Sequence, residues 1–323
     1  MRAFGERNRN VVHSENKKNL KSAWSKSAKG FAPISGRTAV DEYGLLRFGG
    51  DDWSLIQSCE LVADIYRYLE HIESRELLDS GFLERAGTKI SGKNRQILVD
   101  WIYRICTRYQ FESETFGLSV WLLDRATIRL ETNINNYQLI GCVCFFLACK
   151  QEESFPISSN ELIGLTGDLF TKKEFLETEI KVLSIMDYRL IFVSANQFVS
   201  RLKFCLRMPM RVLSVAFFIV DVALMSYALC HYRSSLIGAV AFYMATIVFN
   251  KPVPMEIFLE MARVSFSTIV ETAREFAPYV LQFLDPNYKL NGILERYGES
   301  EPGSTVLRHP YVEEIKRGAK AFM

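Results

Sequence analysis

The chain has 323 residues, 49% of them hydrophobic and 24% charged, the proportions of a globular protein with room for about two cores. Its net charge of only +2 argues against a body built to bind nucleic acid. Seven cysteines without a C-x-x-C pair and four scattered histidines offer no zinc framework, and no metal or cofactor is expected.

Residues 1–52 read as a flexible basic tail. The first forty hold nine Lys or Arg against Glu6 and Glu15, a net +7, which leaves the remainder at −5. No apolar signal region opens the chain. Residues 53–93 are expected to form a helix and a loop. The helix runs over about Trp53–Glu73, with Leu55, Cys59, Val62, Tyr66 and Leu69 on one face, and the loop spans 79–93 with Gly81, Gly87 and Gly92.

Five helices are predicted next, near Asn94–Tyr109, Glu114–Leu130, Tyr137–Lys150, Asn160–Thr166 and Lys172–Met186. Five more follow, near Ala195–Leu206, Met210–Cys230, Ser234–Phe249, Met255–Val264 and Thr268–Phe283. A short helix at Asn287–Tyr297 leads into a polar tail with Pro302 and Pro310. No window of the body alternates in the manner of a strand. Val212–Cys230 is apolar enough to resemble a membrane span, but Asp221 at its centre would cost about 2.5–3.5 kcal/mol in lipid. No membrane partner is expected.

The two sets of helices are copies. Leu139-Ile-Gly-Cys-Val-Cys-Phe-Phe-Leu-Ala148 returns 97 positions later as Leu236-Ile-Gly-Ala-Val-Ala-Phe-Tyr-Met-Ala245, with six positions identical, and the same offset lays Asp124 on Asp221. Each copy is apolar on every side, as the central helix of a bundle must be. Gly141, Cys142, Cys144, Gly238, Ala239 and Ala241 are small enough for neighbouring helices to approach closely. Cysteines in such runs indicate packing in a reducing compartment, the nucleus or the cytoplasm.

The stretch Asn94-Arg-Gln-Ile-Leu-Val-Asp-Trp101 resembles the opening of the cyclin box. The resemblance continues through Glu114-Thr115, Leu122-Leu-Asp-Arg125, Leu147-Ala-Cys-Lys150 with Glu152-Glu153, and Thr171 through Glu179. It covers about residues 53–297 and is more specific in the first copy than in the second. Asp64-Ile-Tyr-Arg-Tyr-Leu69 resembles the helix that precedes the box in mitotic-type cyclins. The implied architecture is all-α: two tandem five-helix cyclin-box domains at 94–191 and 192–285, an N-terminal helix, and a short C-terminal helix and tail at 286–323.

The resemblance also implies roles. Arg95 and Asp124 match a buried ion pair within the box. Lys150 and Glu179 match the residues that bond backbone groups of a cyclin-dependent protein kinase, with Leu183, Tyr188 and Leu190 among the apolar neighbours that cover its active-site helix. On residues alone, a Lys after an apolar helix is ordinarily a charge favoured by the helix dipole. The chain would then be a non-enzymatic regulatory subunit that activates such a kinase in cell-cycle control. Substrate docking peptides are the second implied partner, at Asn94, Ile97, Leu98 and Trp101. There Asn94 replaces a Met, and Arg104 stands where a Glu would meet the peptide's Arg, so like charge should repel that peptide.

Residues 1–52 contain no Arg-x-x-Leu degradation signal; Arg9-Asn-Val-Val12 comes nearest. Gly87-Thr-Lys-Ile-Ser-Gly-Lys-Asn94 nearly matches a phosphate-binding loop, but it ends in Asn and follows no buried strand. Two other classes stay open. One is a cyclin-fold scaffold that binds without activating. The other is a nucleic-acid adaptor, which would want paired cysteines and a basic body; no nucleic-acid partner is expected.

Overall fold

The computed structural model describes residues 59–75, 77–298 and 311–323. The expected basic tail and the start of the first predicted helix lie outside the described residues. Among those described, the chain forms fourteen α-helices and no strand. No helix among them is long and apolar enough to cross a membrane.

After α1 (Cys59–Arg75) and the one-turn α2 (Phe82–Arg85), the first box comprises α3 (Gly92–Tyr109), α4 (Ser113–Arg129), α5 (Tyr137–Glu152), α6 (Ser159–Leu165) and α7 (Lys172–Ile185). The second box comprises α8 (Ala195–Cys205), α9 (Met210–Met225), α10 (Ser234–Val248), α11 (Met255–Ala262) and α12 (Phe266–Phe283), followed by α13 (Gly292–Gly298) and α14 (Tyr311–Lys320). The 97-residue offset carries the first residues of α4 and α5 onto those of α9 and α10. Side-chain caps start several helices: the oxygens of Ser91, Ser158, Thr171, Ser194 and Ser265 each accept a backbone N–H of the turn that follows.

Each repeated helix is the hub of its box. α5 is enclosed by α3, α4, α6 and α7, and α10 by α8, α9, α11 and α12. Small residues make this possible. A Cβ on Gly141 would stand 2.6 Å from Leu98 Cδ2, and one on Gly238 2.9 Å from the Ala195 carbonyl oxygen. Cys142, Cys144 and Cys149 are buried and unpaired, and burial lifts the Cys142 thiol to about 12.

Four features differ from the reading of the sequence. The loop expected over 79–93 contains α2. The helix expected to run to Cys230 ends at Met225, where the Ser226 hydroxyl donates to the Val222 carbonyl at 2.7 Å. The expected C-terminal tail contains α14, which packs on α10 and α12 with Ile315 and Ala319 buried. Finally, α1 precedes the first box in sequence yet binds the second. The Tyr66 hydroxyl donates to the Gln197 carbonyl at 3.0 Å, Arg263 pairs with Glu70 at 2.8 Å, and Glu73 accepts the Ser235 amide at 2.9 Å at the start of α10.

Two buried acids at the same register join the boxes in different ways. Arg95, fully buried, holds Asp124 through Nε at 2.6 Å and Nη2 at 2.8 Å. It also donates to the carbonyls of Leu224 at 3.1 Å and Met225 at 3.2 Å, so it serves as the C-cap of α9 in the other box. Asp221 has no arginine in bonding contact. Its Oδ2 accepts the hydroxyls of Tyr103 from α3 at 2.7 Å and of Tyr297 from α13 at 2.8 Å. Burial pushes the Asp221 carboxyl above its usual range and both phenols well above theirs.

Candidate functional site

Lys150 closes α5, the last turn of an otherwise enclosed helix, and its ammonium emerges there. Glu179 sits midway along α7, which packs on α5. The two side chains, 29 residues apart in sequence, form an ion pair. The Glu179 side chain is only 11% exposed and that of Lys150 is 42% exposed. The Phe146 ring lies 4.6 Å beneath the ammonium, and Phe146 in turn meets Phe175 edge-on at 5.3 Å. The carboxylate is thus held by the core, while the cation reaches the surface.

The surface around this pair is apolar. On α7, Phe175, Val182 and the following Met186 face the core, whereas Leu176, Ile180 and half-buried Leu183 line the adjoining face beside Glu179. Ile180 is 64% exposed and Tyr188 69%. Beyond α7 the backbone turns sharply: Asp187 and Tyr188 have φ of 49° and 57°. Two consecutive non-glycine residues in this region cost about 1–2 kcal/mol each. The Tyr188 amide bonding to the Leu183 carbonyl at 3.0 Å compensates in part and displays the ring outward. Leu190 is half-buried.

Lys150, Glu179, Leu183 and Tyr188 are therefore gathered on one side of the first box, with Leu190 on the linker that follows. Leu176, Phe146 and Phe155, the last 40% exposed, were not singled out in the sequence. The spacing of 176, 180 and 183 on the face of α7 adjoining its core residues was the available signal.

The second predicted surface lies on α3. Ile97 is 50% exposed, Leu98 is buried against Gly141, Trp101 is half-buried, and Asn94 is engaged in the capping box with Ser91. Arg104 differs from expectation. It donates to Asp100 at 2.9 Å and is also bound by Glu295 and Asn291, which α13 and its preceding turn bring back onto α3. Two carboxylates at one guanidinium offset the repulsion foreseen for a cationic peptide.

Among the described residues, no group of three or more His, Cys, Asp or Glu is placed to hold a metal ion.

Residues 64–191 match the family model for the cyclin N-terminal domain, and residues 193–309 match that for the cyclin C-terminal domain. A G2/mitotic-specific cyclin-B of Arbacia punctulata is 30% identical over 196 residues, which are 60% of this chain and 48% of that one. Human cyclin-A1 is 28% identical over 248 residues, 76% of this chain and 53% of that one. The chain spans about half the length of the curated relatives it matches. Among solved structures, a viral cyclin from herpesvirus saimiri superposes with a TM-score of 0.58 at 23% identity, covering 66% of this chain and 96% of that one. The yeast RNA Pol II CTD kinase CTDK-1 complex gives 0.57 at 15% identity, covering 76% and 83%. These structural likenesses concern the fold, whereas the two family models between them span nearly all of the described body. The chain belongs to the cyclin family.

Proposed function

We propose that the protein is the regulatory subunit of a cyclin-dependent protein kinase, that it activates its partner, and that it does so through the Lys150–Glu179 surface. The observation that carries this reading is a half-exposed cation tied to a nearly buried carboxylate amid exposed Leu176, Ile180 and Tyr188. Such a pair offers donors on one side and acceptors on the other to the backbone of a partner's helix, and the apolar rim excludes water from those bonds.

Activation then follows from differential affinity. A kinase whose active-site helix samples an inward and an outward position is shifted inward by a surface that binds only the inward one. The shift equals the difference in binding free energy between the two states, so the surface must be stiff. The enclosure of α5 and the packing of α7 against it provide that stiffness. The docking surface on α3 is a further part of the proposal: Ile97 and Trp101 receive substrate peptides beside Arg104, whose charge Asp100 and Glu295 balance.

The test is co-purification with candidate cyclin-dependent kinases, followed by phosphotransfer assay. The double variant Lys150→Ala with Glu179→Ala is expected to fold, to bind at least tenfold more weakly and to lose activation. Full activation by the folded double variant would refute the reading. Binding without activation by the native chain would instead establish a scaffold.

A further inference from the structure

Arg104 closes one end of the exposed stripe of α3. Its guanidinium donates through Nε to Asp100 at 2.9 Å, through Nη1 to Glu295 and through Nη2 to Asn291. The last two acceptors lie 191 and 187 residues further along the chain. A planar fork of donors met by carboxylate and amide oxygens is the arrangement in which a protein surface receives an arginine from a partner. Here the arginine is the chain's own. The side chains of Arg104 and Glu295 are 34% and 42% exposed, so the pair faces solvent where a partner would arrive.

The acceptors are held in place without Arg104. α13 seats directly on α3 because Gly292 has no side chain: a Cβ there would stand 2.9 Å from Asp100 Oδ1 and 3.0 Å from Arg104 Cγ. The Gly292 amide donates to Asp100 Oδ1 at 2.9 Å, which ties the start of α13 to that carboxylate. At the other end the Tyr297 hydroxyl donates to Asp221 at 2.8 Å, and Arg296 donates to the Phe111 carbonyl and the Ser113 hydroxyl at 3.3 Å. These ties fix Asn291 and Glu295 over α3. Beside them, Ile97 and Trp101 lie on the same side of α3 as Arg104, at helical spacing. Asp100 is the single acid in the sequence of α3, whereas Lys93 and Arg108 are exposed on it. Both carboxylates at this edge are thus engaged by Arg104.

We infer that Asp100, Asn291 and Glu295 form an acidic subsite for a basic side chain, and that Arg104 fills it as a tethered occupant. Arg104 is then the specificity-determining residue of the α3 surface. Apolar residues of a peptide reach Ile97 and Trp101, while an Arg or Lys beside them gains nothing, because the acceptors it needs are already taken. The inference rests on the reading of α3 as a docking surface for substrate peptides.

The experiment titrates two fluorescein-labelled peptides against the full chain by fluorescence polarisation. Both carry a Leu-Phe pair flanked by Ala and Ser, with Arg two residues before the pair in one peptide and Gln there in the other. The native chain is expected to bind the two with similar affinity, and Ile97→Asp to lose both. Arg104→Ala empties the subsite and is expected to bind the Arg peptide about tenfold more tightly, with the Gln peptide unchanged. Arg104→Met, which keeps the stem of the side chain, should do the same, and circular dichroism checks that each variant is folded. Adding Glu295→Gln to Arg104→Ala should remove the gain. If Ile97→Asp abolishes binding but neither Arg104 variant gains affinity, the inference falls and the docking reading stands. A gain that the Gln peptide shares, or that Glu295→Gln leaves intact, has the same meaning. Binding indifferent to Ile97→Asp, or no binding of either peptide by any variant, would overturn both.

Discussion

Asp124→Ala isolates the joint between the boxes. It strips the carboxylate from a guanidinium with no exposure to solvent, leaving Arg95 only the two carbonyls at the end of α9, at 3.1 and 3.2 Å. Removing one partner of a buried pair costs about 3–5 kcal/mol because the remaining charge is uncompensated. For a body of this size, about 2–4 °C of melting temperature accompanies each kcal/mol, so the variant should melt roughly 10 °C lower. Arg95→Met combined with Asp124→Leu removes both charges and keeps much of the volume. What it still lacks is a donor for the Leu224 and Met225 carbonyls, about 1 kcal/mol each. The double variant should therefore stand near 2 kcal/mol below native, more stable than the single one. Urea unfolding followed by circular dichroism distinguishes the cases. A single variant within 1 kcal/mol of native, or a double variant no better than the single, would refute the assignment of Arg95 as a charge balanced across the joint.

Two further predictions concern buried positions of α5, α9 and α10. Burial raises the Asp221 carboxyl above its ordinary value of 3.8, against the lowering effects of Arg296 and of the Tyr103 and Tyr297 hydroxyls. The folded chain thus holds that proton more tightly than the unfolded chain, and the stability from this group, fully present below 3.8, is lost as pH rises through the folded value. Asp221→Asn keeps an acceptor oxygen for both hydroxyls and should flatten the fall in urea midpoint from about pH 4 upward; an unaltered slope would refute this. Gly238→Ala sets a Cβ 2.9 Å from the Ala195 carbonyl oxygen, whereas Gly141→Ala meets only the Leu98 side chain. Overpacking against backbone should cost about 1–3 kcal/mol and exceed the cost at Gly141; denaturation of both variants, with equal losses, would contradict it.

The repeat and the all-α class were legible because both rest on local constraints. An enclosed helix must be apolar all round and carry small residues where neighbours cross, and that pattern survives duplication. Helix starts were legible where a cap oxygen stands in the sequence, as at Ser158 and Thr171. The end of α9 was not, because that helix stops where a guanidinium from the first box takes its carbonyls. The α14 helix escaped notice because its buried residues, Ile315, Gly318 and Ala319, form too small an apolar face to show in sequence. Gly318 lies against Val248, a contact that tertiary packing alone supplies. For the site, the residue types at 150 and 179 were plain, but their meeting across 29 residues followed only from resemblance. The neutralisation of Arg104 by Glu295, 191 residues further along, had no local trace.

Duplication placed an acid at the same register of α4 and α9, and the two copies then diverged in what satisfies it. α8 starts 103 residues after α3, which lays Phe198 over Arg95, so the second copy has no counterpart of that arginine. Asp221 turns instead to a tyrosine of the first box and one of α13. Asp124 keeps its arginine, but that arginine extends to the second box. Asp221 thus accepts a bond across the joint, and the arginine that holds Asp124 within its own box donates across it. Separating the boxes would strip Asp221 of the Tyr103 hydroxyl and leave the Arg95–Asp124 pair exposed without its two carbonyls, and a hinge motion would break bonds of 2.7–3.2 Å across the joint. Stiffness of this kind is what the proposed activation of a kinase requires. A surface can bias a partner's equilibrium only by as much as it resists adapting to the disfavoured state. The pairing of two enclosed bundles through crossed polar ties keeps Lys150 and Glu179 on a frame that does not adapt.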